Sequence, residues 1–277
     1  MKQVMQAEKL DQENRLKERM ALIRHKILVM SGKGGVGKTS VAVNLSYALA
    51  LSGSKKVGLL DTDIHGPNIA KMLGIEKATL GGSTMGIEPV MVLPGLKAVS
   101  LAFTAANPDT PIIWRGPLKA AAIKQLLGDV NWGTLDYLII DSPPGTGDEP
   151  LSVCQLIPEI NGTVIVTTPQ DVSIMDARKS VMFARQLNIS VIGIIENMSG
   201  FICPHCHQET AIFKKGGGEK AALELGVPFL GRIPFDPQQV ELADRGVPFI
   251  SFKKDSAAAK AFMQIQKRIE DFLGTGK

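Results

Sequence analysis

Only three cysteines occur among the 277 residues of this chain, too few for the disulfide framework of a small secreted protein. The first twenty residues, MKQVMQAEKLDQENRLKERM, are polar and charged and do not contain the apolar stretch of a secretory signal. The sequence also has no run of about 18 apolar residues that would be needed to cross a membrane. We therefore expect a cytoplasmic protein that has no membrane partner.

The chain has little excess of either charge, since 31 Lys and Arg stand against 27 Asp and Glu. Because the surplus positive charges are dispersed, we do not expect nucleic acid to be a partner. No internal repeat or low-complexity linker divides the chain, and 44% of its residues are apolar, enough for a large buried core. We predict a charged helical arm at residues 1–23, interpreted as solvated, and a single domain at residues 24–277.

Short apolar runs rich in Val and Ile alternate with segments whose apolar residues recur at helical spacing. The predicted strands are 25–32, 56–63, 136–144, 162–170 and 190–198. This order predicts an α/β fold with a mainly parallel sheet and helices on both faces, in which the carboxyl ends of the strands share one edge. The glycine-rich residues 79–101 interrupt the pattern and predict an inserted hairpin followed by an edge strand.

The sequence SGKGGVGKTS, at residues 31–40, lies between the first predicted strand and a predicted helix. Its frame G-x-x-x-x-G-K-T is that of a P-loop, in which glycines let backbone N–H groups turn towards phosphate oxygens. We expect Lys38 to contact the β- and γ-phosphates of ATP and Thr39 to bind Mg²⁺. The predicted nucleotide-binding residues of the loop are Gly32, Lys33, Gly34, Gly35, Val36, Gly37, Lys38, Thr39 and Ser40.

Three aspartates end predicted strands at the same edge of the sheet. Asp141, in LIIDSPPGTGDE, is the candidate Walker B ligand of Mg²⁺, although a strand-terminal Asp can also cap the next helix. Asp61 and Asp63, in LLDTDIHGPN, end another strand. Phosphoryl transfer depends mainly on positioning and electrostatics, so a carboxylate at this edge can place the attacking water.

Two of the three cysteines, Cys203 and Cys206, have the C-x-x-C spacing that indicates metal or redox chemistry in a reducing compartment. One such pair supplies two thiolates, whereas a [4Fe–4S] cluster or a closed Zn²⁺ site typically has four ligands. A twofold dimer would supply the other two. On spacing alone, a structural Zn²⁺ site with His205 or His207 as an added ligand is favoured. The third, Cys154, is interpreted as a small buried hydrophobe.

The motifs GKGGVGKTS, DTDIHGPN, IIWRGP, DYLIIDSPPGTGDEPL and ENMSGFICPHC follow one another in this order. Together they resemble the Mrp/ApbC family of iron–sulfur cluster carrier ATPases, in the deviant Walker A superfamily of MinD, ParA and the nitrogenase iron protein. The resemblance extends over residues 24–273. The four-cysteine N-terminal motif of eukaryotic members and the small N-terminal domain of many bacterial members are absent from this sequence, which implies a minimal version.

The resemblance implies a P-loop NTPase of the deviant Walker A type that hydrolyses ATP slowly as a homodimer. Lys33 is implied to cross the dimer interface to the phosphates in the partner subunit; the alternative is an exposed surface lysine. Asp63 is implied to position the attacking water, and Asp61 to lie nearer Mg²⁺. Asn197 is implied to recognise adenine, although a turn-forming role is the alternative, and Pro234 in RIPFDP to wall the base pocket.

The predicted function is that of a carrier in which Cys203 and Cys206 of both subunits share a [4Fe–4S] cluster, received from a scaffold or assembly protein and transferred to apo-proteins. Two other functions remain open, a ParA- or MinD-like positioning ATPase and a nucleotide-regulated dimer with structural Zn²⁺. The last predicted helix carries Glu270 and Asp271, which suit a membrane surface less well than basic residues do. No chemistry is assigned to the Trp-Arg pair of IIWRGP.

Overall fold

A computed structural model describes residues 2–53, 55–63, 66–104, 116–203, 205–206 and 208–274 of the chain. Trp114 and Arg115 of the IIWRGP motif lie outside the described residues, as does His207. In the described part of the chain, no helix is long and apolar enough to cross a membrane.

The strands of the described residues are, in chain order, β1 (Ile23–Met30), β2 (Val57–Asp61), β3 (Gly81–Ser83), β4 (Gly86–Glu88), β5 (Val90–Leu93), β6 (Leu96–Ser100), β7 (Leu135–Asp141), β8 (Gly162–Thr167), β9 (Val191–Glu196), β10 (Phe201–Ile202), β11 (Glu209–Thr210) and β12 (Phe229–Arg232). The α-helices are α1 (Lys2–Ala21), α2 (Lys38–Leu51), α3 (Ile69–Met72), α4 (Gly116–Gly128), α5 (Asp148–Leu156), α6 (Asp171–Gln186), α7 (Gly217–Leu225), α8 (Gln238–Asp244), α9 (Phe249–Phe252) and α10 (Ala257–Phe272).

Eight of these strands form one sheet in the order β12-β9-β8-β1-β7-β2-β6-β5. All neighbouring pairs are parallel except β5 and β6, which are antiparallel. The predicted fold class is therefore confirmed, and so are the five predicted strands, whose ends differ by at most three residues. The insertion at residues 79–101 contains the predicted hairpin, β3 and β4, but its edge consists of two strands, β5 and β6.

The two faces of the sheet are covered by different helices, because alternate side chains of each strand point to opposite faces. From β1, Ile27 and Val29 pack in a cluster with α2 and α10, whereas Leu28 and Met30 pack with α1, α4 and α5. A third cluster joins α6 and α7 to β8 and β9. Strands buried on both faces explain the continuous apolar runs of the sequence.

The second half of α1 differs from the prediction of a solvated arm. Leu16 and Met20 are 6% and 1% exposed and belong to the core cluster that includes α4. A Cβ atom on Gly128, at the end of α4, would lie only 3.3 Å from the Cβ of Leu16, so the two helices touch closely. The many charged residues of the helix conceal this apolar pair, which lies at i,i+4 spacing on one face.

We expect Leu16→Ala to destabilise the protein by about 2–4 kcal/mol, because it removes a buried side chain and leaves a cavity. The matched control is Leu10→Ala in the same helix, where the leucine is 59% exposed; its effect should be within about 0.5 kcal/mol. Denaturant unfolding followed by circular dichroism measures both. Equal effects of the two substitutions would contradict the packing of α1 on α4.

Candidate nucleotide site and cysteine hairpin

The P-loop joins β1 to α2, and its glycines are required by conformation and by packing. Gly35 and Gly37 both have φ of +81°, a region that other residues enter only at a cost. A side chain at Gly37 would collide with Asn197, and one at Gly32 would collide with the backbone of Asp176 in α6. The loop therefore presents bare backbone N–H groups at the N-terminus of a 14-residue helix, which favours an anionic ligand.

Lys38, Thr39 and two of the predicted aspartates converge at this helix end. Nζ of Lys38 lies 2.6 Å from Oδ1 of Asp141 and 3.7 Å from Oδ2 of Asp63. The hydroxyl of Thr39 donates to Oδ2 of Asp141 at 2.7 Å. Lys38 is 6% exposed and Asp141 is fully buried, so the pair is shielded from water and its electrostatic interactions are strong.

Asp61 and Asp141 are paired residues on the neighbouring strands β2 and β7, and both are fully buried. Burial, followed by repulsion from Asp141, raises the pKa of Asp61 to about 8, although a hydrogen bond from Ser100 at 2.9 Å opposes that rise. Burial also raises the pKa of Asp141, against the attraction of Lys38. The site thus holds more buried carboxyl groups than the positive charge of Lys38 can neutralise.

This donor set fits Mg²⁺. Hard cations of this kind prefer carboxylate and hydroxyl oxygens, and a divalent cation would relieve the repulsion that raises the two aspartate pKa values. Asp141 links the three predicted magnesium ligands. It accepts a hydrogen bond from Thr39, and it is the strand partner of Asp61. Their assignment to the metal remains a prediction.

A cavity of about 250 Å³ lies beside the P-loop and contains the two residues predicted for the base. Asn197 and Pro234 both line it, with Met198 and Gln239. Nδ2 of Asn197 donates to the backbone oxygen of Val36 at 2.9 Å, which ties this side chain to the P-loop. This cavity, here called the base cavity, lies where the base pocket is predicted, and the adenine roles of Asn197 and Pro234 stay predictions.

Met72 and Asp244 were not predicted as site residues, yet both line the base cavity and also the cavity of about 350 Å³ around the P-loop. They come from α3 and α8, which contact each other. Among the described residues that line the two cavities, Asp244 is the acidic residue that both cavities share. No local sequence signal identifies either residue, because the contact between the two helices is tertiary.

Lys33 has a well-defined backbone, because its carbonyl oxygen accepts a hydrogen bond from the Ser31 hydroxyl at 2.9 Å. Its side chain borders the P-loop cavity, and none of the described residues forms an ion pair with it. This lysine therefore differs from Lys38, which is neutralised within its own chain.

Cys203 and Cys206 lie between β10 and β11, which pair as antiparallel strands; the two strands and the two cysteines are here called the cysteine hairpin. Cys203 is half-buried and donates its backbone N–H to Gln208 at 3.0 Å, while Cys206 is exposed. Hydrogen bonds from the backbone N–H groups of Cys206 and His205 lower the pKa of Cys203, which favours the thiolate that binds metals.

A single cysteine hairpin offers too few ligands for a closed metal site. Within the described residues, no group of three or more His, Cys, Asp or Glu is placed to hold a metal ion. Cys154 is far less suited to binding, because its burial in α5 raises the pKa of its thiol to about 11. Cys154 is partly buried and packs against two of the core clusters, as a small hydrophobe does.

The P-loop at the end of a central parallel strand, with a lysine near each of its ends, defines a P-loop NTPase of the deviant Walker A type. A ParA family model described as NUBPL iron-transfer P-loop NTPase matches residues 22–270. The chain belongs to this family, which confirms the resemblance inferred from the order of its motifs.

Two relatives carry the name iron–sulfur cluster carrier protein. The chain is 54% identical over 258 residues to the protein of Methanocaldococcus jannaschii, covering 93% of this chain and 88% of that one. It is 50% identical over 251 residues to the protein of Saccharolobus solfataricus, covering 91% of this chain and 84% of the relative.

Two solved structures are similar in fold. A nucleotide-binding protein from Archaeoglobus fulgidus, in complex with ADP and with Co, has a TM-score of 0.76 at 41% identity, over 85% of this chain and 92% of that chain. The cell division ATPase MinD of Pyrococcus furiosus has a TM-score of 0.65 at 25% identity, over 89% of this chain and 98% of that chain.

Proposed function

We propose that this chain is an ATP-hydrolysing carrier that binds one [4Fe–4S] cluster between two subunits and transfers it to apo-proteins. The observation that carries the proposal is the presence, in one chain, of a P-loop site and a hairpin that presents Cys203 and Cys206. The names of relatives at 54% and 50% identity support the nature of the cargo. A scaffold or assembly protein would supply the cluster.

In the nucleotide site, each side chain has a separate role. The backbone of the P-loop would bind the phosphates, and Lys38 would exchange part of its ion pair with Asp141 for the β- and γ-phosphate oxygens. Thr39, Asp61 and Asp141 would hold Mg²⁺, which would neutralise phosphate charge. The ADP complex of the Archaeoglobus fulgidus protein supports nucleotide as the ligand of this site.

Asp63 is the residue best placed to position the attacking water. It lies on the loop after β2, and one of its carboxylate oxygens is 3.7 Å from Nζ of Lys38. It is 13% exposed in its side chain, so it borders the P-loop cavity instead of lying beneath it as Asp61 does. A carboxylate in that place can accept a hydrogen bond from water directed at the γ-phosphate.

The homodimer follows from two incomplete features of one chain. The cysteine hairpin supplies two thiols, while a [4Fe–4S] cluster takes about four ligands. Lys33 lines the P-loop cavity without an ion-pair partner among the described residues. A twofold axis would place two hairpins opposite each other and bring each Lys33 to the nucleotide of the other subunit, so a single arrangement would complete both features.

We expect Asp63→Ala to slow ATP hydrolysis at least about 100-fold while ATP affinity changes less than about fivefold, because water positioning is lost and the phosphate cradle remains. The matched control is Asp271→Ala on the exposed end of α10, which should leave both quantities unchanged. Phosphate release measures turnover, and equilibrium dialysis with labelled ATP measures binding. An equal loss of binding and turnover would assign Asp63 to ground-state binding instead.

Cluster transfer tests the proposal as a whole. The protein, loaded anaerobically with iron and sulfide, should restore the activity of an apo-enzyme that requires a [4Fe–4S] cluster, and free iron and sulfide at equal concentration should restore less. A protein that retains zinc without sulfide and restores no activity would instead support the structural Zn²⁺ alternative.

A further inference from the structure

The segment that walls the base cavity is hydrogen bonded to the chain that leads into the cysteine hairpin. Ile233 donates its backbone N–H to the carbonyl oxygen of Glu196 at 2.9 Å, and Ser199 donates to Ile233 at 2.9 Å. Phe235 then donates to Gly200 at 2.8 Å. A shift of one segment must therefore either move the other or break buried backbone hydrogen bonds, which is costly.

Three phenylalanine rings extend this connection to the hairpin itself, and we call them the phenylalanine cluster. The ring of Phe235 lies 6.2 Å from that of Phe201, the first residue of the hairpin, and the two residues form a parallel β-bridge. Phe213, just after the hairpin, contacts Phe235 edge to face at 5.9 Å. Such separations are those of packed aromatic pairs.

Phe235 is the member of the cluster that faces the nucleotide site. It lines the base cavity of about 250 Å³, whose described lining includes neither Phe201 nor Phe213. It also lines a second cavity, of about 500 Å³, together with Ile202 of the hairpin. The side chain therefore stands between the place proposed for adenine and the strand that ends next to Cys203.

The end of β9, ahead of the hairpin in the chain, is anchored by Glu196. This carboxylate is fully buried and accepts hydrogen bonds from the backbone N–H groups of Gly216 at 2.8 Å and Gly218 at 2.5 Å, at the start of α7. It also accepts from the hydroxyl of Ser199. Because these bonds fix the end of β9 to α7, movement in response to a ligand is expected on the phenylalanine side, which is only half-buried.

We infer that Phe235 is a positioning residue that couples occupancy of the base cavity to the placement of Cys203 and Cys206. The inference rests on the proposed function in one respect, namely that ATP is the ligand of that cavity. A base entering the cavity displaces the Phe235 ring, and the cluster transmits the displacement to Phe201, two residues before Cys203. By thermodynamic linkage, if ATP changes the affinity of the two cysteines for a ligand by some factor, that ligand changes the affinity of the protein for ATP by the same factor.

Thiol alkylation of the metal-free, full-length protein tests this coupling without a cluster. The protein is treated with iodoacetamide, with and without a saturating non-hydrolysable ATP analogue and Mg²⁺, and the modified peptides are quantified by mass spectrometry. In the wild type, nucleotide should change the alkylation rate of Cys203 or Cys206 at least about fivefold. Cys154, which is partly buried against the core, serves as an internal reference in the same sample.

Phe201→Ala is the decisive variant, because it removes the hairpin side of the cluster without touching the base cavity. ATP affinity should remain within about twofold of the wild type, while the nucleotide-dependent change in alkylation should fall below about twofold. Phe235→Leu, which keeps an apolar side chain in the cavity wall, should lose the change as well. The matched control Phe272→Ala, at a phenylalanine that is 45% exposed on α10, should retain it.

A full response in Phe201→Ala, or no response in the wild type with nucleotide bound, would overturn the inference. Cluster loading is measured on a separate sample. A failure of the coupling can therefore be told apart from a failure of the carrier function. A chain that loads a cluster but shows no nucleotide-dependent alkylation refutes the coupling alone. A chain that shows the coupling but loads no cluster refutes the carrier function alone.

Discussion

Replacing Lys38 with Ala is expected to weaken ATP binding about 30- to 4,000-fold, which corresponds to the 2–5 kcal/mol cost of truncating one partner of a buried charge pair. Nζ of Lys38 is 2.6 Å from Asp141 and 3.7 Å from Asp63, and the side chain is 6% exposed. Without the lysine, these carboxylates would face the incoming phosphates unneutralised. The lost attraction of Lys38 for the phosphates and the added repulsion from the carboxylates both weaken ATP binding.

The fold should survive the Lys38→Ala substitution, because the side chain is absent from the hydrophobic core clusters. Circular dichroism before titration verifies this. Lys260→Ala, on the exposed face of α10, is the matched control for removing a lysine and should bind ATP like the wild type. Undiminished ATP affinity in Lys38→Ala would show that the nucleotide binds elsewhere.

The second large effect is expected at the cysteine hairpin. The double substitution Cys203→Ser/Cys206→Ser replaces soft thiolates with hydroxyls that ionise poorly, so iron loading should fall from about four atoms per two chains to nearly none. Each single substitution should also prevent stable loading, since two ligands would be lost from the dimer. Iron and acid-labile sulfide are quantified after anaerobic reconstitution and desalting.

Two controls separate a lost ligand from a lost fold. The double variant should still bind ATP with wild-type affinity, because the P-loop cavity contains neither cysteine. Cys154→Ala should load a full complement of iron, because that thiol is packed in the core and has a raised pKa. Full loading of the double variant, or loss of loading in Cys154→Ala, would assign the cluster to other ligands.

Much of the sheet was predictable from sequence because its central strands are buried on both faces. The second half of β1 and most of β8 and β9 are runs of apolar residues, which a strand with one face in water does not require. β12 escaped prediction because it is four residues long, contains Gly231 and is only partly buried. The packing of Leu16 and Met20 escaped too, because a charged helix reveals its buried face only when its partner, α4, is known.

In the candidate site, too, some residues follow from local sequence patterns, whereas others are brought together only by the fold. The P-loop and the strand-terminal aspartates are local patterns, and the parallel order of β1, β2 and β7 is sufficient to bring them together. Met72 and Asp244 come from short helices whose contact is purely tertiary, so no local pattern identifies them. The contact of Phe235 with Phe201 also joins segments 34 positions apart along the chain, and only the folded structure places them side by side.

The most direct test of the account is the native mass of the anaerobically reconstituted protein, with its iron and sulfide content measured on the same sample. Four thiolates are required and one chain presents Cys203 and Cys206, so we predict a homodimer that carries about four irons and four sulfides in total. The dimer should dissociate or lose its iron in the Cys203→Ser/Cys206→Ser variant. A monomer that holds an intact [4Fe–4S] cluster, or a dimer that holds zinc and no sulfide, would contradict a cluster shared between two subunits.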